Sequence, residues 1–108
     1  MRWMETIKVQ SAAGKEQTTE HELAVLAREV QENPDPQGLR EAAVSRHATV
    51  YGCFALRLFW DTDDPKPSGS VLGMSLAQSL KAFGLVDHSV WIEAESNEGG
   101  EKNVQEKK

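Results

Sequence analysis

The sequence predicts a single α+β domain with the element order strand, helix, strand, strand, helix, strand. Three observations support this prediction. Three segments alternate apolar and polar side chains with the period of two that is typical of strands, and a fourth is a short run that is apolar on both sides. Two segments place apolar residues three and four positions apart, as on one face of a helix. The chain has 108 residues, which is enough for one domain with a core of modest size.

The first strand and the first helix are predicted before Pro34. The apolar side of the strand consists of Trp3, Ile7 and Val9. Glu5 interrupts that apolar side. The apolar stripe of the helix consists of Leu23, Leu26, Ala27 and Val30. Thr19 followed by Glu22 has the pattern of a capping box, which predicts that the helix begins there. Asn33-Pro34 ends the helix, because proline disfavours helical geometry in the residue before it.

The middle of the chain is predicted to form a hairpin of two strands. The second strand is expected from Leu39 to Val50, the third from Cys53 to Asp61, and Tyr51-Gly52 supplies the tight connection. The third strand is apolar on both sides, with Phe54, Leu56, Leu58 and Trp60 on one and Cys53, Ala55 and Phe59 on the other. A strand of this kind needs cover on both faces.

The second helix and the fourth strand follow a polar loop. Ser68 or Ser70 can cap the helix, and Gly84 is expected in the left-handed conformation that closes it. The stripe of the helix consists of Leu72, Leu76, Leu80 and Phe83, and the apolar side of the strand of Val86, His88, Val90 and Ile92. We place the domain at residues 1–95. Residues 96–108 are excluded as a polar tail whose composition does not offset its ordering entropy.

Two strand-helix-strand units linked by a hairpin give the ferredoxin-like arrangement, a four-stranded antiparallel sheet with both helices on one face. The opposite face would then expose one apolar side of the third strand. A surface of that kind needs a partner, and a two-fold homodimer is the commonest way to cover it. The sequence therefore predicts a homodimer.

Short motifs also resemble a known family. They are Ile7-Lys8-Val9, Gly14-Lys15-Glu16, Gly38-Leu39 and Phe59-Trp60-Asp61. In these residues the chain resembles the dimeric α+β barrel superfamily, and within it small proteins related to antibiotic biosynthesis monooxygenases. The resemblance covers roughly residues 1–95 and implies two sheets packed face to face. Members range from cofactor-free oxygenases and haem-degrading enzymes to proteins without a known reaction. Monooxygenase-like members usually carry a histidine after the third strand, whereas this chain has none between Asp61 and Phe83, and we predict no cofactor.

Composition argues against several function classes. The formal net charge is −5 without a basic stripe, so we predict no nucleic-acid partner. Cys53 is the only cysteine, which excludes an internal disulfide framework and fits a small buried thiol in a reducing compartment. No apolar run approaches the roughly 20 residues of a membrane span. We therefore predict a cytoplasmic protein without membrane partners.

Four residues are candidates for ligand binding. They are His47, Arg57, Trp60 and His88. Arg57 lies in the most apolar strand, so it must reach solvent, pair with an acid such as Glu5 or bind an anionic ligand. Trp3, Trp60 and Trp91 are candidates for the wall of a cavity that holds a flat organic ligand. No pair of histidines has the spacing of a local metal site, and no metal is predicted.

Two hypotheses about function remain open at this point. The first is a non-catalytic dimerisation or interaction module, slightly favoured because no catalytic set converges in the sequence. The alternative is a cofactor-independent monooxygenase-like enzyme, or a binder of a small aromatic compound in a cavity between sheet and helices. A cavity touched by at least two of the four candidate side chains would distinguish the hypotheses.

Overall fold

The computed structural model describes residues 1–33 and 37–94. Strand β1 spans Arg2–Ser11, helix α1 Glu16–Glu32, strand β2 Leu39–Arg46, strand β3 Cys53–Asp61, helix α2 Val71–Leu80 and strand β4 Gly84–Ile92. The strands form one antiparallel sheet in the order β2-β3-β1-β4. The predicted ferredoxin-like α+β fold is therefore confirmed. The predicted tail, residues 96–108, lies outside the described residues.

The two helices divide the sheet into a covered face and an open face. Helix α1 packs mainly against β2 and β3, and α2 packs against β4 and β1. The core of the covered face is formed by Trp3, Ile7, Val9, Leu23, Ala27, Ala42, Phe54, Leu56, Leu58, Trp60, Leu76, Ala77 and Leu80. Full burial of a valine, leucine, isoleucine or phenylalanine side chain contributes about 1.5–3 kcal/mol. This layer therefore supplies most of the driving force for folding.

The open face is a grid of side chains whose rows follow from the strand register. One row runs across the sheet as Glu41, Phe59, Met4 and Trp91. The next row is Ala43, Arg57, Thr6 and Ser89, and the third is Ser45, Ala55, Lys8 and Asp87. Apolar side chains are therefore concentrated in the first row, and polar or charged groups dominate the other two.

Helix α1 begins earlier than the capping-box pattern predicts. It starts at Glu16, and Thr19 lies inside the helix, where its hydroxyl donates a hydrogen bond to the carbonyl of Lys15 at 2.7 Å. The Glu16 carboxylate accepts from the amide of Gly14 at 3.1 Å. The predicted start at Thr19 is wrong because a threonine hydroxyl can bond back to the preceding turn as readily as it can cap a helix. The predicted end at Asn33 is confirmed.

Strand β2 is shorter than predicted. It ends at Arg46, and Val50 lies in the exposed hairpin connection rather than in the strand. The connection closes on the imidazole of His47, whose Nδ1 accepts from the amides of Thr49 at 3.1 Å and Val50 at 3.0 Å. Gly52 follows with a φ of 79°, the left-handed conformation that the sequence predicts for this turn.

The end of α2 also differs from the prediction. Helix α2 ends at Leu80, and Gly84 is the first residue of β4 rather than a left-handed cap. A Cβ at Gly84 would lie 2.0 Å from the carbonyl oxygen of Gln10. Glycine is thus required here by the close approach of β4 to β1, and not by the helix terminus. No helix among residues 1–33 and 37–94 has the length and hydropathy needed to cross a bilayer.

Candidate functional site

A buried carboxylate lies at the centre of the covered face. Glu5 continues the inward alternation of β1 between Trp3 and Ile7, and its side chain is 0% exposed. Its direct cross-strand neighbours are Leu58 and Val90, both apolar. A carboxylate in such surroundings is costly unless hydrogen bonds replace the lost water, so its partners define the site.

Four hydrogen bonds satisfy the Glu5 carboxylate. Oε1 accepts from the Ser70 amide at 3.0 Å and lies 2.7 Å from Nε2 of His88. Oε2 accepts from the indole Nε1 of Trp60 at 2.9 Å and from the Ser70 hydroxyl at 2.5 Å. Two carboxylate oxygens offer about four lone-pair positions, so these four contacts fill the acceptor capacity of the carboxylate.

The strand register explains how two of these partners reach Glu5. Trp60 on β3 and His88 on β4 each lie two residues away from the position directly opposite Glu5. Both face the covered side, one on either flank of β1. Long side chains bridge such diagonal distances across a sheet. Trp60 is 4% exposed and the His88 side chain 15%, so the histidine is the more exposed of the two.

The amino-terminal end of α2 supplies the remaining contacts. Ser70 caps the helix, as predicted, and its Oγ accepts from the amide of Gly73 at 2.9 Å. Because that oxygen already accepts, its own hydrogen is available for Glu5. A Cβ at Gly73 would lie 2.0 Å from Oε1 of Glu5, so the carboxylate sits directly against the helix backbone. A negative charge at a helix amino terminus is favoured by the helix dipole.

A cavity of about 330 Å³ lies beside this cluster. It is lined by Trp3, Gln37, Trp60, Thr62, Asp64, Lys66, Ser70, Val71 and Leu72. The rings of Trp3 and Trp60 stack at a centroid distance of 5.2 Å and an interplanar angle of 12°. The volume lies at the lower end of the range of about 300–1,000 Å³ that is usual for small-molecule sites.

The polar groups around the cavity are largely engaged with one another. The indole Nε1 of Trp3 donates to the hydroxyl of Thr62 at 2.9 Å, and that of Trp60 donates to Glu5. Lys66 forms an ion pair with Asp64. Both tryptophans therefore offer carbon surface to a ligand rather than N–H groups. A flat apolar ring suits such walls.

The four candidate residues from the sequence divide into two groups. Trp60 lines the cavity, and His88 contacts the same carboxylate, so the structure brings these two together through Glu5. Arg57 lies on the open face, where Nη1 donates to the hydroxyl of Ser45 at 2.8 Å. One of the three alternatives for Arg57, pairing with an acid such as Glu5, does not hold for Glu5, because the two residues lie on opposite faces of the sheet. His47 is exposed in the hairpin connection.

Other sequence-based candidates are placed as follows. Trp91 lies on the open face and is 60% exposed, so it does not join Trp3 and Trp60 at the cavity. Cys53 is a buried free thiol, as predicted. Within the described part of the chain, no group of three or more histidine, cysteine or acidic side chains is arranged to hold a metal ion.

Sequence reasoning missed Glu5 and Ser70 as members of the site. The signals were present, because Glu5 interrupts an apolar strand face and Ser70 begins a helix. Each was interpreted separately, one as a partner of Arg57 and the other as a cap. Only the crossing of α2 over β1 brings them within hydrogen-bond distance.

Comparison with known proteins identifies the fold. No protein-family model matches the chain, and no curated protein matches it. Among solved structures, a proposed antibiotic biosynthesis monooxygenase from Deinococcus radiodurans superposes with a TM-score of 0.61 at 14% identity, covering 86% of this chain and 93% of that chain. The chain has the fold of the antibiotic biosynthesis monooxygenases. The resemblance stated from the sequence is thus confirmed at the level of the fold.

Two further structures share this fold. A variant of SnoaB, a cofactor-independent oxygenase from Streptomyces nogalater, gives a TM-score of 0.57 at 9% identity, covering 91% of this chain and 98% of that one. A proposed antibiotic biosynthesis monooxygenase from Chloroflexus aurantiacus gives 0.53 at 16% identity, with coverage of 93% and 96%. At these identities the similarity concerns the fold alone.

Proposed function

We propose that the protein binds a flat aromatic compound in the cavity beside Glu5 and acts on it as a cofactor-independent monooxygenase-like enzyme. The observation that supports this proposal is the cavity of about 330 Å³ walled by the stacked rings of Trp3 and Trp60. The solved structures with this fold are named for oxygenase activity, which favours the enzyme hypothesis. They give no support to the non-catalytic module that the sequence slightly favoured.

The proposed ligand class follows from the walls. Trp3, Trp60 and Leu72 present apolar surface, and both indole N–H groups are already bonded within the protein. Stacking of one aromatic ring on another contributes about 0.5–1.5 kcal/mol beyond the area buried. A planar apolar ring can pack against these walls.

The proposed reaction needs no resident cofactor. In a cofactor-free oxygenation, the substrate supplies the electrons: a ring CH₂ group loses two hydrogens and gains one oxygen atom of O₂, and the other oxygen atom leaves as water. The role of the protein is then to hold the ring, exclude water and accept a proton. Trp3 and Trp60 would hold the ring. Ser70, the cap of α2, lines the cavity, and its hydroxyl is bonded to Glu5.

The activity is tested with 1,8-dihydroxyanthrone, a flat tricyclic compound with an oxidisable ring CH₂ group. Oxygen uptake is measured with an electrode, and spontaneous oxidation is subtracted with heat-denatured protein. We expect enzymatic uptake in the wild type, loss of it in Trp60→Ala, and retention in Trp91→Ala, which alters an indole on the open face. Folding of each variant is checked by circular dichroism. No uptake above background in folded wild type would contradict the enzymatic proposal.

We also propose that two copies pair through the open face. The row Phe59, Met4 and Trp91 supplies apolar surface, and Trp91 alone is 60% exposed. The central strands carry cations, Lys8 and Arg57, whereas the outer strands carry acids, Asp87 and Glu41. A two-fold axis can set central cations against outer acids, so this face is complementary to itself.

Sedimentation velocity tests the pairing. We expect a dimer for the wild type and a shift to monomer for Trp91→Glu, which places a charge in the apolar row. Val50→Glu is the matched control, since Val50 is an exposed apolar residue in the hairpin connection. A wild type that sediments as a monomer at tens of micromolar would rule the pairing out.

A further inference from the structure

We propose that Glu5 makes the cavity select uncharged hydroxylated aromatic compounds over aromatic carboxylates. This inference rests on the proposed binding of a flat aromatic compound and adds the polar group that the compound carries. Glu5 itself does not line the cavity, and it acts through two residues that do, Trp60 and Ser70. It is therefore a positioning and specificity-determining residue rather than a catalytic one.

The carboxylate of Glu5 places a negative charge behind the cavity wall. Glu5 is 0% exposed, and its Oε2 contacts two lining residues, Trp60 and Ser70. The charged residues that line the cavity, Asp64 and Lys66, are paired with each other. His88 contacts Oε1 and does not line the cavity. A ligand carboxylate would thus meet the negative charge of Glu5 a short distance behind the wall, and like charges repel.

The hydrogen-bonding groups of Ser70, Trp3 and Trp60 favour a ligand that donates. The Ser70 oxygen accepts one bond from Gly73 and donates its hydrogen to Glu5, which leaves one lone pair for a ligand donor. The indole hydrogens of Trp3 and Trp60 are both committed within the protein. Ser70 and the two indoles together therefore offer an acceptor and no free donor. A ligand hydroxyl can use that acceptor, whereas a carboxylate cannot.

Glu5 fixes the directions of the Ser70 hydroxyl hydrogen and the Trp60 indole hydrogen. Because the carboxylate accepts from the Ser70 hydroxyl, that hydrogen points away from the ligand and the serine oxygen stays an acceptor. Because it accepts from Trp60, the indole hydrogen is likewise removed from the cavity. A glutamine at position 5 keeps the shape but loses the charge, and its NH₂ group would face donors from which the carboxylate oxygen accepted. Glu5→Gln therefore separates the charge from the volume.

Three naphthalenes of nearly equal size test the selection. Binding of 1-naphthol, 1-methoxynaphthalene and 1-naphthoate to the wild type is measured by calorimetry at about pH 8, where a phenol is neutral and an aromatic carboxyl ionised. We expect 1-naphthol to bind at least about tenfold more tightly than 1-naphthoate, since a buried like charge repels the carboxylate. It should also bind more tightly than 1-methoxynaphthalene, which has no hydrogen to donate.

The Glu5→Gln variant should narrow the preference for 1-naphthol over 1-naphthoate to within about threefold. The change should come from a gain in 1-naphthoate affinity, which structural damage would not produce. The matched control is Glu41→Gln, an exposed carboxylate on the open face that should leave the preference intact. If Glu5→Gln does not fold, Ser70→Ala serves instead and should abolish the advantage of 1-naphthol over 1-methoxynaphthalene.

The possible outcomes separate this inference from the function on which it rests. Equal affinity of the wild type for 1-naphthol and 1-naphthoate overturns the selection by Glu5 but leaves aromatic binding in place. The same holds if the preference survives in folded Glu5→Gln. If none of the three naphthalenes binds the wild type, the proposed aromatic site fails, and this inference fails with it.

Discussion

The two faces of the sheet each carry a charged residue in an otherwise apolar strand, and they accommodate it differently. On the covered face, Glu5 is fully enclosed and bonded by four groups from β3, β4 and α2. On the open face, half-buried Arg57 makes one side-chain hydrogen bond, to Ser45 on the neighbouring strand. The same kind of interruption in the sequence thus gives a rigid polar cluster in one place and a partly solvated side chain in the other.

The difference depends on the length of the side chain and on whether a helix covers that face of the sheet. A guanidinium on a long stem can extend along the sheet toward water, so an uncovered face tolerates it at small cost. A carboxylate on a short stem under a helix has no such route, and it needs donors at fixed positions. Burying Glu5 therefore constrains Trp60, Ser70 and His88 at once, whereas Arg57 constrains little. This contrast locates the candidate site on the covered face.

Removing the buried charge should have the largest effect. Glu5→Ala leaves the donors of Trp60 and Ser70 buried without an acceptor, and we expect the free energy of unfolding to fall by about 3–5 kcal/mol. Urea denaturation monitored by circular dichroism measures this loss. The control Glu41→Ala, an exposed carboxylate on the open face, should change stability by no more than about 0.5 kcal/mol. Similar losses of unfolding free energy in both variants would mean that the four hydrogen bonds of Glu5 do not stabilise the fold.

A methyl group pushed against the carboxylate should have the next largest effect. Gly73→Ala would normally stabilise a helix by about 1 kcal/mol. Here the new Cβ would lie 2.0 Å from Oε1 of Glu5, whose position is fixed by its donors. We expect a loss of about 1–3 kcal/mol, because overpacking displaces the carboxylate or the helix. Ser75→Ala, exposed on the same helix, should instead be neutral or slightly stabilising. Stabilisation by Gly73→Ala in the same urea experiment would show that Glu5 moves freely.

The two serine contacts provide a direct comparison of the faces. Ser70 donates to the carboxylate of Glu5 on the covered face. Ser45 accepts from the guanidinium of Arg57 on the open face. A double-mutant cycle of Glu5→Gln with Ser70→Ala should give a coupling free energy of about 1–2 kcal/mol, because both partners are buried. The cycle of Arg57→Ala with Ser45→Ala should give less than about 0.5 kcal/mol. Equal couplings would remove the distinction between the faces.

Much of this fold follows from local patterns in the sequence. The alternation of β1 and β3 and the stripes of both helices predict their buried faces, because neighbouring side chains within one element have fixed relative directions. Element ends were less predictable. Thr19 lies inside α1, and Gly84 belongs to β4, because tertiary contacts decide between conformations that are locally similar in energy.

The candidate site was predictable only in part, because its members come from four elements. Trp60 and His88 were identified as candidates from their residue types. Pairing of Arg57 with Glu5, one of three alternatives left open, does not occur because adjacent register positions of a strand face opposite sides of the sheet. Aligning the apolar sides of β1 and β3 would have set Glu5 on the face of Trp60, which is the observed arrangement. The approach of Ser70 depends on where α2 crosses the sheet, and no local pattern encodes that.

Replacing the two histidines named from the sequence should have the smallest effect. The comparison distinguishes the hairpin connection, which contains His47, from the covered face, where His88 contacts Glu5. His47 accepts from the amides of Thr49 and Val50 in an exposed connection, much as a capping residue does, so His47→Ala should cost about 0.5–1 kcal/mol of stability. The affinity for 1-naphthol should change by less than about twofold, because none of the residues that line the cavity belongs to this turn. His88→Ala removes a partner of Glu5 and should alter that affinity more. Calorimetric titration of both variants measures the difference, and a larger effect of His47 would move the ligand site away from the tryptophan pair and toward the hairpin.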